Sequence, residues 1–473
     1  MARTDPAVPS SDAHDDSVAG LKRVLGPFDV TMFVMGSIIG AGIFNVPAKI
    51  AASMGSMQGV LILWALGGVF AFTGAIVFAE LGGMMPHAGG QYVFVREAYG
   101  RFAAFLFGWV LLTGITSSAL AFVAGVFSDH VESLARGAGL TEGFGELGKR
   151  ALSIGLIAFA VALNARGTRL GALVQNASML AKIAGISIIV AFGGLVGMGL
   201  MHTRPEVIAV LPDTASTHWE WQSAGGALLS VLFAYGGWQN VAAAAAEIRK
   251  PERTLPLGIL FGTIGVIALY IGLNMALISI LGVGGVAASH TPTADAAEAV
   301  VRGGQVIVSA LVVISTFAFV QGLALLAPRI YFAMALDGVF FRSAAYVHPK
   351  WRTPVVAIIV QGVIACVYVC TTGLGALVDI AILCDLVFFS SCGLALFVLR
   401  ARRPDMPRPY RALGYPWLPA IFLVTTLGTV IQGAFNTSRN NALWGIGLFV
   451  VGALLYFVWR RDAGTTTSAG PMQ

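Results

Sequence analysis

The chain has 473 residues, of which 57% are hydrophobic and only 11% are charged, and its mean hydropathy is +0.82. Soluble domains carry about 25% charged residues, so this composition excludes a soluble protein and predicts an all-α protein with many membrane spans. The net charge of +6 requires no nucleic acid, because basic residues at the inner face of a membrane are attracted to anionic lipid.

Apolar segments long enough to cross a bilayer recur along the whole chain. A span needs about 20 apolar residues, and the fourth segment is the shortest of those that we assign. The twelve predicted spans are residues 27–51, 58–83, 101–127, 151–164, 172–200, 222–246, 256–281, 304–336, 354–373, 376–399, 414–434 and 441–459.

The distribution of basic residues orients these spans. Short cytoplasmic loops are rich in Lys and Arg, and most of the 29 such residues fall in segments on the same side as the N-terminus. Arg402 is therefore predicted inside and Arg150 outside. Residues 1–24 and 462–473 are predicted to be cytoplasmic tails with disordered ends, and neither resembles a signal peptide. We expect an integral protein of the plasma (inner) membrane.

The first span contains Gly-Ser-Ile-Ile-Gly-Ala-Gly-Ile-Phe at residues 36–44. Each glycine costs about 0.8–1 kcal/mol relative to alanine inside a helix, so a cluster of glycines favours a break. Irregular backbone at membrane depth is tolerated only where it is buried in protein or lines a cavity, and transporters hold substrates at such breaks. We interpret this segment as a binding site. The alternative is close helix packing, which small residues also permit.

Further motifs follow along the chain. A Gly- and Pro-rich loop suited to a re-entrant or surface helix occupies residues 80–94, Phe-Ala-Tyr-Gly-Gly-Trp occupies 233–238, and Glu-Ile-Arg-Lys-Pro-Glu-Arg-Thr-Leu-Pro occupies 247–256. With residues 36–44, these motifs resemble the amino acid-polyamine-organocation superfamily, especially its L-type amino acid transporter branch, over nearly the whole chain. Two positions depart from this pattern. Ala41 stands where many relatives have Ser, and Ala246 stands where many have a second acidic residue before Glu247.

The sixth span, like the first, is interrupted by glycines: Gly236 and Gly237 lie within an aromatic-rich segment. Paired interrupted helices are typical of transporters built from two inverted repeats, whose broken helices meet near the bilayer midplane. The repeats would be residues 25–200 and 201–400, with helices 11 and 12 in residues 401–461. The resemblance implies the same architecture, a five-plus-five inverted repeat of the LeuT type.

The two breaks offer complementary backbone groups. After the first break, the free amides of Ala41, Gly42 and Ile43 form a positive helix end that suits a carboxylate. Before the second, the carbonyls of Phe233, Ala234 and Gly236 suit an ammonium, and Phe233 would close the outer face. In the superfamily the matching positions bind the amino acid. The predicted substrate-binding residues are Ile38, Ile39, Gly40, Ala41, Gly42, Ile43, Phe233, Ala234, Gly236 and Asp385.

Lys182 is the only charged residue between Arg169 and Arg204, deep in the fifth span. A rise of about 1.5 Å per residue places it roughly 16 Å from the cytoplasmic edge, too far for its ammonium to snorkel, so it is predicted to face the protein interior. The resemblance implies a coupling role, in which the ammonium replaces the ion that sodium-coupled relatives hold between helices 1 and 8. The alternative is a structural cation that caps helix ends.

Asp385 lies near the middle of the tenth span, and intramembrane carboxylates usually mark functional sites. The resemblance implies a position beside the substrate side chain. The alternatives are a protonated acid or a salt bridge to Lys182. We favour that salt bridge, because an unpaired buried carboxylate is costly. It would leave an apolar pocket for neutral amino acids, with Phe233, Tyr235 and Val320 as walls. Without it, a cationic amino acid or polyamine would be preferred.

Other functional classes fit less well. The His, Cys and carboxylate residues show no metal-ligand spacing, and no phosphate loop or nucleophile elbow occurs, so no enzyme, metal or cofactor is predicted. No charge ring or filter repeat indicates a channel. Glu80, Glu247, Arg329 and Asp337, near cytoplasmic ends, are interpreted as gate or scaffold residues. The sequence thus predicts a sodium-independent amino acid transporter that works by alternating access, as an exchanger or a proton symporter. An amino acid sensor is the alternative, and the oligomeric state stays open.

Overall fold

The computed structural model describes residues 17–18, 20–40, 42–204, 207, 221–371, 374–436 and 439–464. Ala41, one of the predicted substrate-binding residues, lies outside the described residues, as do residues 1–16 and 465–473 of the two predicted tails. In the part that is described, the chain is helical except for short connections and one pair of two-residue strands.

The helices follow the predicted spans closely. The described α-helices are α1 (Pro27–Ile38), α2 (Gly42–Met54), α3 (Met57–Met84), α4 (Gln91–Tyr99), α5 (Arg101–Val110), α6 (Ser117–Gly137), α7 (Gly145–Ala165), α8 (Thr168–Gly197), α9 (Trp221–Ala234), α10 (Pro251–Ala288), α11 (Pro292–Val300), α12 (Gly304–Leu326), α13 (Pro328–Leu336), α14 (Val355–Thr371), α15 (Leu374–Arg402), α16 (Trp417–Asn436) and α17 (Arg439–Gly464). A π-helical segment, Leu111–Thr116, joins α5 to α6, and 3-10 segments occupy Asn240–Glu247 and Arg342–Ala345.

Several of these helices can cross a membrane. Among the described residues, six helical stretches are long and apolar enough: Met57–Met84, Arg101–Gly137, Thr168–Gly197, Pro251–Ala288, Gly304–Leu336 and Cys384–Arg402. Shorter apolar helices cover Pro27–Ile38, Gly225–Ala234, Val355–Thr371, Trp417–Gly433 and Leu443–Val458. The first and sixth predicted spans appear only as short helices because each is divided in two.

Both divisions occur where glycines predict them. The first break separates α1, which ends at Ile38, from α2, which begins at Gly42. The second break separates α9, which ends at Ala234, from the 3-10 segment that begins at Asn240. Gly237 in the second break has a φ of 126°, which L side chains rarely adopt, and a Cβ there would collide with the carbonyl oxygen of Ser37. The glycine therefore lets the two breaks touch.

Three local features differ from the sequence-based expectations. The helix of the fourth span begins at Gly145 rather than at residue 151. The second half of the sixth span is a 3-10 segment rather than an α-helix. Within the predicted N-terminal tail, the described residues 17–18 and 20–24 are structured rather than disordered, because strands β1 (Ser17–Val18) and β2 (Leu21–Lys22) pair and the Val24 amide donates to the Glu247 carbonyl at 2.9 Å.

Long straight helices surround the broken ones. Helix α10 packs against α1, α2, α3 and α8, and α12 packs against α1, α6 and α8. Helix α9 packs against α2 and α3. These contacts hold the ends of α1, α2 and α9 in the interior, where irregular backbone is shielded from lipid.

Candidate substrate-binding site

A cavity of about 170 Å³ lies at the two breaks. Most of the described residues that the sequence assigned to the substrate line it, whereas Ile39 and Ile43 do not and are fully buried in the packing around the first break. The predicted residues that line the cavity are Ile38, Gly40, Gly42, Phe233, Ala234, Gly236 and Asp385.

Other walls of the cavity were not foreseen. The π-helical segment and the start of α6 contribute one side, α12 contributes Phe319 and Leu323, and the second break contributes Gln239 and Asn240. The lining residues from the third span are Leu111, Ile115, Thr116, Ser118, Ala119, Phe122 and Val123. The run of hydroxyl side chains at residues 113 and 116–118, inside an apolar span, was the available signal, and π-helical turns often occur at functional sites.

The predicted walls Tyr235 and Val320 were wrong. Both are fully buried and neither lines the cavity. Tyr235 instead packs its ring against Trp64 and Tyr270, with centroid distances of 5.6 and 5.0 Å. Phe233 lines the cavity and is 47% exposed. That it closes the outer face stays a prediction.

Hydrogen-bond donors and acceptors converge on this cavity. The first amides of a helix have no acceptor within that helix, so the start of α2 presents free donors beside Gly42. The Phe233 carbonyl accepts from the Gly236 amide at 3.0 Å, and the Ala234 carbonyl accepts from the Tyr270 hydroxyl at 3.3 Å. Each carbonyl oxygen retains a second lone pair. The cavity can therefore bind one anionic and one cationic group.

Tyr270, which the sequence analysis missed, ties the two broken helices together. Its hydroxyl lies 3.1 Å from the Ile38 carbonyl oxygen and 3.3 Å from that of Ala234, so one donor is shared between the ends of α1 and α9. The side chain is fully buried. This bridge fixes the spacing between the donors of the first break and the acceptors of the second.

Lys182 lies beside the first break and outside the cavity lining. It is fully buried, and its ammonium donates to the Ile39 carbonyl at 2.7 Å. The Ser315 hydroxyl of α12 lies 3.4 Å from the carbonyl oxygens of both Ile39 and Gly40. The carbonyl end of a helix carries partial negative charge, so the cation stabilises the unwound end of α1.

Asp385 is half-buried and lines the cavity. Its carboxylate forms no hydrogen bond or ion pair with any residue that the structure describes. The favoured salt bridge between Lys182 and Asp385 is therefore wrong, because these two side chains are not paired and the ammonium instead donates to the Ile39 carbonyl. The carboxylate lines the cavity, where it can interact with a bound solute.

The predicted gate or scaffold residues each take part in an ion pair. Arg329 and Glu247 pair at 2.6 Å with both side chains buried, and the Thr168 hydroxyl contacts both of them. Glu80 pairs with Arg400 at 2.5 Å. Removing one partner of a buried pair typically costs about 3–5 kcal/mol, so these contacts hold the ends of several helices together.

The third pair joins the loop helix α4 to the end of α13. Asp337 accepts from Arg96 at 2.6 Å and from the Tyr92 hydroxyl at 2.7 Å. Burial, together with the hydrogen bond to Asp337, raises the pKa of Tyr92 well above its usual range. Tyr92 is therefore a permanent donor, and this contact does not titrate with the tyrosine.

No group of His, Cys, Asp or Glu side chains among the described residues could hold a metal ion. The site is instead a cavity between two interrupted apolar helices, with amide donors on one side and carbonyl acceptors on the other. These features define the class of membrane transporters for small solutes that carry both charges.

The chain belongs to the amino acid permease family, whose model matches residues 25–456. It is 30% identical over 446 residues to the serine/threonine exchanger SteT of Bacillus subtilis (strain 168), covering 93% of this chain and 98% of that protein. It is 27% identical over 462 residues to the Homo sapiens b(0,+)-type amino acid transporter 1, covering 95% and 90%. The Homo sapiens large neutral amino acids transporter small subunit 2 is 26% identical over 465 residues, covering 96% and 84%.

These matches confirm the resemblance to the amino acid-polyamine-organocation superfamily and to its L-type branch. The protein is an integral membrane transporter of amino acids and not an enzyme.

Proposed function

We propose that the protein is a sodium-independent secondary transporter that moves amino acids by alternating access, as an exchanger or a proton symporter. The observation that carries this proposal is the cavity at the two breaks, where the first amides of α2 and the carbonyls of α9 line one space. The α-carboxylate would bind the amides and the α-ammonium would bind the carbonyls. Lys182, fixed on the Ile39 carbonyl, would take the place of a sodium ion.

The decisive experiment is uptake by proteoliposomes. All common amino acids and several diamines are offered, each with and without sodium and with and without a proton gradient. Uptake of at least one amino acid, unaffected by sodium, is expected. Binding of an amino acid without flux would instead support the alternative of a membrane sensor.

We also propose a twelve-span architecture with two inverted five-helix repeats at residues 25–200 and 201–400. Helices 11 and 12 would lie outside the repeats, in residues 401–461. The breaks in the first and sixth predicted spans support this division, since inverted repeats place such helices in equivalent positions. The tails, residues 1–24 and 462–473, would be cytoplasmic, and the protein would lie in the plasma (inner) membrane.

Cysteine labelling tests this topology. In a background without the four native cysteines, Arg150→Cys should react with a membrane-impermeant maleimide from outside intact cells, whereas Arg402→Cys should react only after the inner face is exposed. The expectation follows from the concentration of Lys and Arg on one side. The parent without cysteines is the control. Labelling of Arg150→Cys only from the cytoplasm would show that the orientation is wrong.

We propose neutral amino acids as the substrates. The apolar side chains around the cavity support this, as do the names of two relatives, an exchanger of serine and threonine and a transporter of large neutral amino acids. The ion pair on which the sequence-based argument depended is not formed. A cationic amino acid or a polyamine is the second candidate, because the Asp385 carboxylate, which has no partner among the described residues, could accept an additional ammonium.

Asp385→Asn distinguishes these candidates. If neutral amino acids are the substrates, their uptake should fall by less than about tenfold, a change worth less than about 1.4 kcal/mol, because no ion pair with the substrate is lost. Asp405→Asn, an exposed site of the same chemistry, is the matched control. Competition by leucine, alanine, arginine, lysine and putrescine is measured for the wild type and for both variants. Selective loss of arginine, lysine or diamine uptake would instead identify a cationic substrate.

A further inference from the structure

The π-helical segment Leu111–Thr116 forms one wall of the cavity, which Leu111, Ile115 and Thr116 line. A π-turn bonds an amide to the carbonyl five residues back instead of four, so it changes the direction in which the following side chains point. Helix α6 begins directly after this segment and contributes four further lining residues. The contacts that hold the π-turn therefore decide which side chains of the third span meet the substrate.

Hydroxyl groups in the segment and just after it bind its backbone carbonyls. The Thr113 hydroxyl donates to the Trp109 carbonyl at 2.8 Å, and the Ser118 hydroxyl donates to the Gly114 carbonyl at 2.6 Å. Hydroxyl side chains that bond to the carbonyl four residues earlier compete with the helix hydrogen bonds and bend the helix. These local contacts favour an irregular turn, but they do not fix its position relative to the neighbouring helices.

Tyr331 of α13 contacts the segment through Thr116. Their hydroxyl oxygens lie 2.6 Å apart, and Thr116 Oγ1 lies 2.8 Å from the carbonyl oxygen of Leu111, five residues earlier. The Thr116 hydroxyl has one proton and a carbonyl can only accept, so Thr116 donates to Leu111 and must accept from Tyr331. Two hydrogen bonds in series therefore connect α13 to both ends of the π-turn.

The tyrosines that hold the segment lie outside the cavity lining. Tyr331 is fully buried and is not among the lining residues. The Tyr368 hydroxyl of α14 donates to the Thr113 carbonyl in the middle of the segment, and Tyr368 is also absent from the lining. Because both tyrosines contact the segment from outside the cavity, they act on the position of the wall and not on the solute directly.

The position of this wall matters for the size of the bound side chain. Thr116 is 4% exposed and lines the cavity. Protein interiors are close-packed, so a wall that is held from behind does not recede for a larger solute. One additional methylene group in an apolar pocket changes binding by about 10- to 200-fold. The hydrogen bond from Tyr331 keeps Thr116 in place and thereby limits the space in the cavity.

We propose that Tyr331 is a positioning residue for substrate selectivity, which fixes the π-turn through Thr116 as the wall that limits the size of the substrate side chain. This inference rests on the proposed transport of amino acids and deepens it, because it assigns selectivity for side-chain size to a residue outside the cavity. Loss of the Tyr331 hydroxyl leaves the Thr116 oxygen without its donor and opens a gap behind it. The wall then recedes, small amino acids lose contacts, and larger ones gain space.

The test measures dissociation constants by the ligand-dependent thermal stabilisation of the purified full-length protein. Alanine, threonine, leucine, phenylalanine, lysine and arginine are offered, and the smallest and the largest that stabilise the wild type are the two probes. Tyr331→Phe removes the hydroxyl and keeps the ring. Tyr99→Phe is the matched control, because the Tyr99 hydroxyl donates to the Ser391 carbonyl of another helix at 2.7 Å but lies on α4, outside the cavity lining.

Tyr331→Phe should raise the affinity for the larger probe relative to the smaller one by at least about fivefold, equivalent to about 1 kcal/mol, whereas Tyr99→Phe should change this ratio by less than about twofold. Thr116→Val, which keeps the shape of the side chain and removes its hydroxyl, should shift the ratio in the same direction. Adding Tyr331→Phe to Thr116→Val should change the ratio by less than about twofold further, because Tyr331 acts through the Thr116 hydroxyl. A general structural role of Tyr331 does not produce this non-additivity.

An unchanged ratio in Tyr331→Phe would overturn the proposal, as would shifts that multiply in the double variant or an equal shift in Tyr99→Phe. If Tyr331→Phe does not fold, Thr116→Val decides alone, and an unchanged ratio there overturns the proposal as well. Failure of the wild type to bind any amino acid is a separate outcome, because it would contradict the proposed function and not only this role of Tyr331.

Discussion

Replacing Gly42 by leucine is expected to abolish substrate binding while the protein still folds. Gly42 lines the cavity, and a Cβ built there would meet only the Val46 side chain at 3.9 Å, so a leucine side chain would extend into the space that the substrate needs. Leucine also favours the helix by nearly 1 kcal/mol relative to glycine, so α2 should persist. We expect affinity to fall at least about 100-fold, or about 2.7 kcal/mol.

The measurement is the thermal stabilisation of purified protein by its amino acid, followed by uptake in proteoliposomes. Gly155→Leu is the matched control, because Gly155 is an exposed helical glycine where an added Cβ would meet nothing within 4 Å, and it is not part of the cavity lining. This control should bind and transport normally. If Gly42→Leu kept wild-type affinity and uptake, the glycines of the first break would serve packing alone.

Replacing Lys182 by alanine is expected to stop transport. The ammonium donates to the Ile39 carbonyl at 2.7 Å in a fully buried position, and the Ser315 hydroxyl, at 3.4 Å, is a much weaker substitute. A hydrogen bond to a charged group is worth about 1.5–3 kcal/mol, so the population with a correctly placed first break should fall by roughly ten- to a hundredfold. The measured quantity is the initial rate of amino acid uptake.

Lys49→Ala, an exposed lysine on α2, is the control and should leave uptake unchanged. Wild-type uptake should also be the same when choline replaces sodium, because a fixed ammonium would occupy the role of the ion. Strong dependence of the wild type on sodium would contradict this assignment. Full activity of Lys182→Ala without sodium would mean that the lysine only fills space.

Glycine placement made both breaks predictable. A residue with no Cβ is required where backbones touch, and Gly237 against Ser37 is such a contact. The sequence also sufficed to predict a membrane protein, because long apolar segments rarely have any other explanation. Lys182 could be assigned to the interior from its depth alone, since a charged group in lipid that cannot reach water must find a partner within the protein.

The partners of charged groups were harder to predict. Lys182 and Asp385 were expected to pair because an unpaired buried carboxylate is costly, but the lysine binds a backbone carbonyl and the aspartate lines the cavity. Residue types do not reveal such a partner, because it is a backbone carbonyl that the helix break leaves without its helical hydrogen bond. The same limitation hid Tyr270, whose hydroxyl also binds backbone oxygens at the two breaks.

The sequence by itself determined that the chain is a helical membrane protein, where two of its helices break, and which backbone groups those breaks release. These properties depend on local chemistry, namely apolar length and the absence of a Cβ. Only the tertiary structure decided that Phe319 rather than Val320 lines the cavity, that Tyr235 turns away from it, and that Gln175 lies between two glycines. Successive residues of a helix point about 100° apart, and helices that are apolar on every side carry no periodic signal for which face is turned inward. The rotation of each helix is therefore fixed by packing against its neighbours.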